Sequence, residues 1–320
     1  MTSNDIEKQL NRHYNKIVED SFETQERNRE ILAPFVSREE LEKLDARRHD
    51  DFVLERKFFE DILSFLREKH SIPDIYFFPH SVQITTGVAL GENGYVLYFS
   101  KKFQQTLCDI CALSSYLFFE DDGGRLSDRD ECRLKNILLG YIDTYANCRE
   151  MPTVDETIYR IYAADSVIHG ASMARSMLAF ILCHEIAHVI INPSLKNVSS
   201  SEEFDADKLG CEMYFDLLSS GRTFGAMRLD PSMNRAPLLL MDLLELIDDY
   251  MVSIFGKRLM SDASHPSAGM RKCYLLNFYL FQYEKDSSVL YQIFYEQWLA
   301  IKAHLHLNIT NIATNIKAMS

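Results

Sequence analysis

One apolar stretch of this chain carries three ionisable side chains in its middle. Residues 177–191 are hydrophobic except for His184, Glu185 and His188. Because apolar side chains cover every side of a helix over this stretch, we expect the helix to lie in the core. Buried histidine and glutamate side chains are costly unless they are paired or bound to a metal ion. The stretch therefore predicts a buried helix with a metal site, and the alternative is a pair of core histidines.

The spacing of the three groups favours the metal site. In a helix, His184 and His188 lie one turn apart on the same face, where both imidazoles can bind one zinc ion. Glu185 points beside that ion rather than at it, which is the position of a general base. An H-E-x-x-H string also arises by chance in unrelated chains, so the prediction depends on the remainder of the site.

A third metal ligand is expected soon after this helix, because a catalytic zinc ion takes three protein ligands and keeps one open position. Ser199 is predicted to cap a new helix, and Glu202 to complete a capping box with it. That leaves Glu203 to reach the metal. Asp207, one turn later, is placed to accept the outer N–H of a ligating imidazole. The alternative is an acidic first turn that only complements the helix dipole.

Composition bounds the class of protein. The chain has 320 residues, 47% of them hydrophobic, which is enough to bury a large core. Its net charge of -13 is spread along the chain and argues against a nucleic-acid partner.

With no run of about 18 apolar residues and a polar N-terminal segment, we expect a cytoplasmic protein without a membrane span. The 7 cysteines fit reduced thiols, and the C-x-x-C at Cys108 and Cys111 is interpreted as one helix face rather than a redox or zinc site.

Periodicity along the chain predicts a mostly α-helical α+β fold with one small antiparallel sheet. Short strands rich in β-formers are predicted at 75–78, 82–85 and 95–99, and such a strand could hold an extended peptide or be purely structural.

Residues 1–72 are predicted to be a helical N-terminal region, either packed on the core or open to a regulatory protein. Residues 73–320 would form the metal-binding domain, unless the whole chain is one domain. Helices are predicted over 4–32, 52–72, 101–120, 127–148, 172–191, 199–218, 238–255, 271–283 and 289–307.

Three segments, taken in order, resemble the gluzincin metallopeptidases. His184–His188 followed by Glu203–Asp207 is similar to their H-E-x-x-H plus E-F-x-A-D signature. Ser264, His265 and the following proline, with Arg271, are similar to the S-H-P-x-x-x-x-R segment of the CAAX-protease/HtpX-like group. The resemblance covers about a third of the chain and carries no membrane helices, so prenylated membrane substrates are not expected. Soluble phage-exclusion peptidases of the Lit type are the analogy for a triggered enzyme of bacterial defence.

The resemblance implies a zincin-like core and a zinc-dependent endopeptidase acting on a protein or peptide substrate. By it, His184, His188 and Glu203 bind one zinc ion per chain. Glu185 is the general base for attack by a zinc-activated water, and His265 stabilises the transition state. The resemblance further implies that Asp207 and Arg271 support the site from behind the ligands. The rival interpretation is a metal-stabilised binding or regulatory protein of the same fold without catalysis, in which a fourth protein ligand would close the site.

Overall fold

The fold is described from a computed structural model of the chain. It describes residues 57–80, 86–91, 94–119, 136, 139–140, 166–196, 199–225, 227–256, 265–282, 299, 302–303 and 306. The helix predicted at 4–32 and the strand predicted at 82–85 lie outside these residues, as do most of 127–148 and 289–307. The boundary predicted between residues 72 and 73 stays a prediction.

The described residues contain six helices of at least 14 residues, further helical positions at 136, 139–140, 299, 302–303 and 306, and two small sheets, so the mostly helical α+β class is confirmed. Each of the six helices contains or closely matches a range that periodicity predicts. The helices are α1 (57–70), α2 (Lys101–Phe119), α3 (Ser166–Ile191), α4 (Ser200–Ser219), α5 (Ala236–Phe255) and α6 (Ala268–Gln282). The strands are β1 (Ile75–His80), β2 (Gly87–Gly91), β3 (Gly94–Ser100), β4 (Thr223–Phe224) and β5 (Met227–Arg228), with a 3-10 turn at Pro231–Met233.

The larger sheet is mixed, so the prediction of a purely antiparallel sheet was wrong. Its strand order is β1-β3-β2. Strand β3 pairs parallel with β1, Tyr95 opposite Ile75, and antiparallel with β2, Tyr98 opposite Gly87. The chain forms the edge strand β2 before it returns to the centre as β3, and β3 then runs in the direction of β1. Strand β2 lies after the predicted strand at 82–85, and the sequence did not predict it. Its glycines and alanine are weak β-formers, so its residues give no strand signal.

Helix α3 lies at the centre of the core, as the apolar stretch predicts. It packs between α2 and α4, and both crossings are close because a glycine lies at each. A Cβ atom on Gly170 would lie 2.6 Å from the Cα of Ala112 in α2. A Cβ atom on Gly210 of α4 would lie 2.9 Å from the Cα of His184. The backbones of three helices therefore approach one another without intervening side chains.

The sheet and α1 complete the same core. Phe59 of α1 is fully buried, and its ring centroid lies 4.8 Å from that of Phe77 and 4.8 Å from that of Phe99. Helix α1 thus joins the buried cluster that contains α3. Among the described residues, the stretch Ile168–Ile191 is long and apolar enough to cross a membrane, with 78% of its most apolar window buried inside the protein. A central core helix passes the same test.

Candidate metal centre

The two histidines of α3 face each other across one turn. Their Nε2 atoms lie 3.2 Å apart, and both rings are buried. Two ligand atoms bound at about 2.0–2.1 Å to a tetrahedral zinc ion lie about 3.3–3.4 Å apart. His184 and His188 therefore already have the separation that one shared metal ion requires.

Glu203 supplies a carboxylate to the same point from the first turn of α4. Its Oε2 lies 3.6 Å from His184 Nε2 and its Oε1 lies 3.6 Å from His188 Nε2. The side chain is nearly inaccessible, with 2% of the residue exposed. The three ligand atoms all lie within 4.8 Å of one another, and this group could hold a metal ion. Within the described part of the chain, no other group of three His, Cys, Asp or Glu converges in this way.

Each imidazole presents its other nitrogen to a carboxylate. His184 Nδ1 lies 3.1 Å from Asp207 Oδ1, and His188 Nδ1 lies 3.2 Å from Glu202 Oε1. Such contacts fix the proton on Nδ1 and leave Nε2 as the metal ligand. Burial lowers the pKa of both histidines, helped by the charge of Arg271 at His184 and of His184 at His188. Both rings are thus held in the neutral form that binds metal.

The role predicted for Glu202 was incomplete. Ser199 does cap α4, because its Oγ accepts a hydrogen bond from the Glu202 backbone N–H at 3.3 Å. The Glu202 carboxylate, however, faces His188 and accepts a hydrogen bond from Asn192 Nδ2 at 3.0 Å. Asn192 directly follows α3. The consecutive residues Glu202 and Glu203 therefore have different roles at the site. Glu203 is a candidate metal ligand, and Glu202 supports the imidazole of His188.

Arg271 of α6 closes the buried side of the site. Its Nε and Nη2 donate to the two carboxylate oxygens of Asp207 at 2.7 and 2.6 Å, and its Nη1 lies 3.5 Å from Glu203 Oε2. Burial opposes ionisation of Asp207, but the charge and hydrogen bonds of Arg271 outweigh it and hold the pKa of Asp207 below its usual range. Nη2 also lies 3.5 Å from Nδ1 and 3.3 Å from Nε2 of His184. Arg271 thus contacts two candidate ligands, Glu203 and His184, and the supporting carboxylate of Asp207 at once.

Glu185 lies beside the ligands, half-buried. Burial raises the pKa of Glu185 to about 8, the charge of Glu203 adds to the increase, and Arg271 opposes it. A cation held by Glu203 would reverse the contribution of that carboxylate. Burial and the charge of Glu185 also raise the pKa of Tyr98, which places this β3 phenol in the electrostatic reach of Glu185. Sequence patterns gave no signal for Tyr98.

His265 lies on the open side of the site. Its Nε2 is 3.2 Å from Glu203 Oε1, and 36% of its side chain is exposed. It precedes α6 by three residues, so the segment that carries it continues into the helix that carries Arg271. The structure therefore brings together the seven residues that the sequence singled out, from three separate helices and the segment before α6.

Comparison with known proteins adds no relative, because no family model, no curated protein and no solved structure matches the chain. The resemblance to gluzincins stays a prediction from three sequence segments.

Proposed function

We propose that this protein is a zinc-dependent endopeptidase with a zincin-like core. The observation that carries the proposal is the convergence of His184 Nε2, His188 Nε2 and the Glu203 carboxylate, with Glu185 beside them. Two imidazoles and one carboxylate form a known ligand set of catalytic zinc, which keeps its fourth position open for reaction. A structural zinc site would instead be closed by a fourth protein ligand.

The chain's own residues have separate tasks in this proposal. A bound zinc ion would supply Lewis acidity, which activates a water and polarises the scissile carbonyl. Glu185 takes a proton from the attacking water on a carboxylate oxygen and delivers it to the leaving amine. His265 donates a hydrogen bond from its imidazole to the oxyanion that develops on the carbonyl. Asp207 and Glu202 hold the two ligand imidazoles in position.

The proposed substrate is a protein or peptide in an extended conformation. Strand β2 is an edge of the three-stranded sheet, and it packs against the metal-binding helix α3. A peptide can add to such an edge through backbone hydrogen bonds, which places a peptide bond near the site without selecting its sequence. We further propose a cytoplasmic enzyme that a trigger, or a regulatory protein at residues 1–72, controls.

The experiment that tests this function compares new protein N-termini in cells that express the wild type or Glu185→Gln. The substitution preserves shape and removes the proton acceptor, so we expect cleavages in the wild type and none in the variant. Glu212→Gln, a half-buried position on α4, is the matched control and should cleave like the wild type. Cleavage that persists in Glu185→Gln would contradict the proposed mechanism.

Metal content separates the enzyme from its rival. We expect the purified wild type and Glu185→Gln to bind about one zinc ion per chain, since Glu185 is not a proposed ligand. Zinc bound without any Glu185-dependent cleavage would favour the metal-stabilised binding protein. A chain that binds no metal would exclude both.

A further inference from the structure

A buried ionic cluster outside the metal site joins the C-terminal part of the chain to α5 and α6. Asp242 of α5 is fully buried, and its Oδ1 accepts hydrogen bonds from Lys272 Nζ at 2.6 Å and from Lys302 Nζ at 2.5 Å. Lys302 Nζ also donates to the Glu245 carboxylate. We infer that Lys302 is a positioning residue, which fixes the first turn of α6 and thereby sets Arg271 against the metal ligands.

Both carboxylates that Lys302 binds contact the first turns of α6. Glu245 Oε1 lies 2.5 Å from the point where a Cβ atom on Gly269 would stand, so this carboxylate packs directly on the α6 backbone. Asp242 holds Lys272, the neighbour of Arg271. The two contacts flank Arg271 on either side along the chain. A shift of Asp242 or Glu245 is therefore passed to the segment that carries the Arg271 guanidinium.

Arg271 in turn contacts the proposed metal ligands directly. The guanidinium makes two hydrogen bonds to Asp207 at 2.6 and 2.7 Å, and it lies 3.5 Å from Glu203 Oε2 and 3.3 Å from His184 Nε2. His184 and Glu203 are two of the three proposed ligands, so a small displacement of Arg271 changes the orientation of both. His265 is also affected, since its segment leads directly into α6.

The effect of Lys302 on α6 follows from its charge, which compensates Asp242 and Glu245. Asp242 and Glu245 lie one turn apart on α5, and two ammonium groups compensate them. Among the described ion pairs, removal of the Lys302 charge leaves Asp242 with Lys272 and takes the ammonium partner from Glu245. The loss of a partner from a buried ion pair strongly destabilises the fold around it. Since Asp242 and Glu245 both contact α6, we expect the resulting rearrangement to appear first in that helix.

The test compares full-length Lys302→Met with Lys302→Arg and the wild type. Met keeps the length of the side chain without its charge, and Arg keeps the charge. The first measurement is amide hydrogen exchange of residues 268–272 against that of α3. The second is zinc affinity by competition with a chelator. His306→Ala is the matched control, because His306 lies on the same C-terminal part but pairs with Asp249 of α5, in an exposed contact 3.2 Å long.

We expect Lys302→Met to accelerate exchange in residues 268–272 more than in α3, and to weaken zinc binding by roughly tenfold, the lower end for partners of metal ligands. Lys302→Arg should restore both, and His306→Ala should match the wild type. Wild-type exchange in α6 with Lys302→Met, or an equal increase in every helix, would overturn the inference. If Lys302→Met does not fold, Glu245→Gln decides, because it removes one of the two carboxylate charges that pair with Lys302 and leaves Asp242 paired.

The zinc measurement rests on the proposed function, whereas the exchange measurement does not. If the wild type binds no zinc, the proposed function fails, and exchange in α6 still decides whether Lys302 positions Arg271. If zinc binds and exchange in α6 is unchanged in Lys302→Met, or in Glu245→Gln where Lys302→Met does not fold, the inference fails alone.

Discussion

At the scale of single residues, each of the two proposed ligand histidines contacts a carboxylate, and a different side chain binds each carboxylate. Asp207 behind His184 is held by two hydrogen bonds from a buried arginine. Glu202 behind His188 is held by the amide of Asn192, which also donates to the carbonyl of Lys196 at 2.8 Å. The loop that follows α3 therefore folds around Asn192, and the support of His188 depends on this short loop.

Glu202 should consequently set the affinity for metal without touching it. We expect Glu202→Ala to weaken zinc binding about 10- to 100-fold, because the His188 ring loses the acceptor that orients it. Glu202→Gln keeps an acceptor oxygen and should weaken binding less. Chelator competition on the purified proteins measures both. Asp205→Asn, an exposed position in the same turn of α4, is the control, and equal affinities for all four proteins would show that Glu202 does not support His188.

The sequence indicated the candidate ligands because helical periodicity decides which side chains share a face. His184 and His188 had to meet on any helix, and Glu203 followed from the need for a third ligand. Glu202 was assigned to the cap because the Ser-x-x-Glu pattern is the same whichever way the carboxylate turns. Its direction depends on where α4 begins relative to His188, and that is set by tertiary packing.

At the scale of helices and strands, the site depends on how closely α4 crosses α3. The crossing is at Gly210, where an added Cβ would lie 2.9 Å from the Cα and 3.0 Å from the N of His184. Both are backbone atoms, so no flexible side chain can move away. Glu203 and Asp207 lie on the same helix within two turns of Gly210, which links the crossing to the position of the ligands.

Gly210→Ala should therefore destabilise the fold and weaken zinc binding together. We expect an overpacking cost of about 1–3 kcal/mol, reduced by the roughly 0.5–1 kcal/mol that alanine gains over glycine within a helix. Urea unfolding and chelator competition measure the two effects. Gly140 is the matched control, because a Cβ atom there meets nothing within 4 Å. Gly140→Ala should be neutral or slightly stabilising, and the same result for Gly210→Ala would contradict the close crossing.

The sheet shows what local sequence cannot predict at this scale. The β-formers of Tyr95–Phe99 predicted β3 correctly, and the core face of that strand follows from its alternating burial. Whether β1 pairs with β3 or with the intervening strand depends on pairing between distant segments, which a local pattern does not contain. Strand β2, bounded by Gly87 and Gly91, has no distinct β-propensity and is specified by its neighbours.

At the scale of the whole molecule, the candidate site joins parts of the chain that are far apart in sequence. The central helix α3 provides two ligands, α4 the third, and α6 the arginine behind them. Among the described residues, four carboxyl groups lie at or beside the ligand atoms, from Glu185, Glu202, Glu203 and Asp207, and the guanidinium of Arg271 faces them. An excess of negative charge in a buried place favours a bound cation. A metal ion there would join α3 to α4, and Arg271 of α6 packs against two of the ligands, so metal binding should appear in the stability of the entire fold.

Zinc should therefore raise the melting temperature of the wild type. Free zinc at 100 times its dissociation constant adds about 2.7 kcal/mol to the free energy of unfolding. For a chain of 320 residues that corresponds to an increase of roughly 4 °C. Differential scanning fluorimetry with and without a chelator measures it, and magnesium should have no such effect because it prefers oxygen ligands to imidazole. Glu203→Ala should lose most of the increase. If that variant responds to zinc as the wild type does, Glu203 is not a ligand, and the metal bound by the protein lies elsewhere.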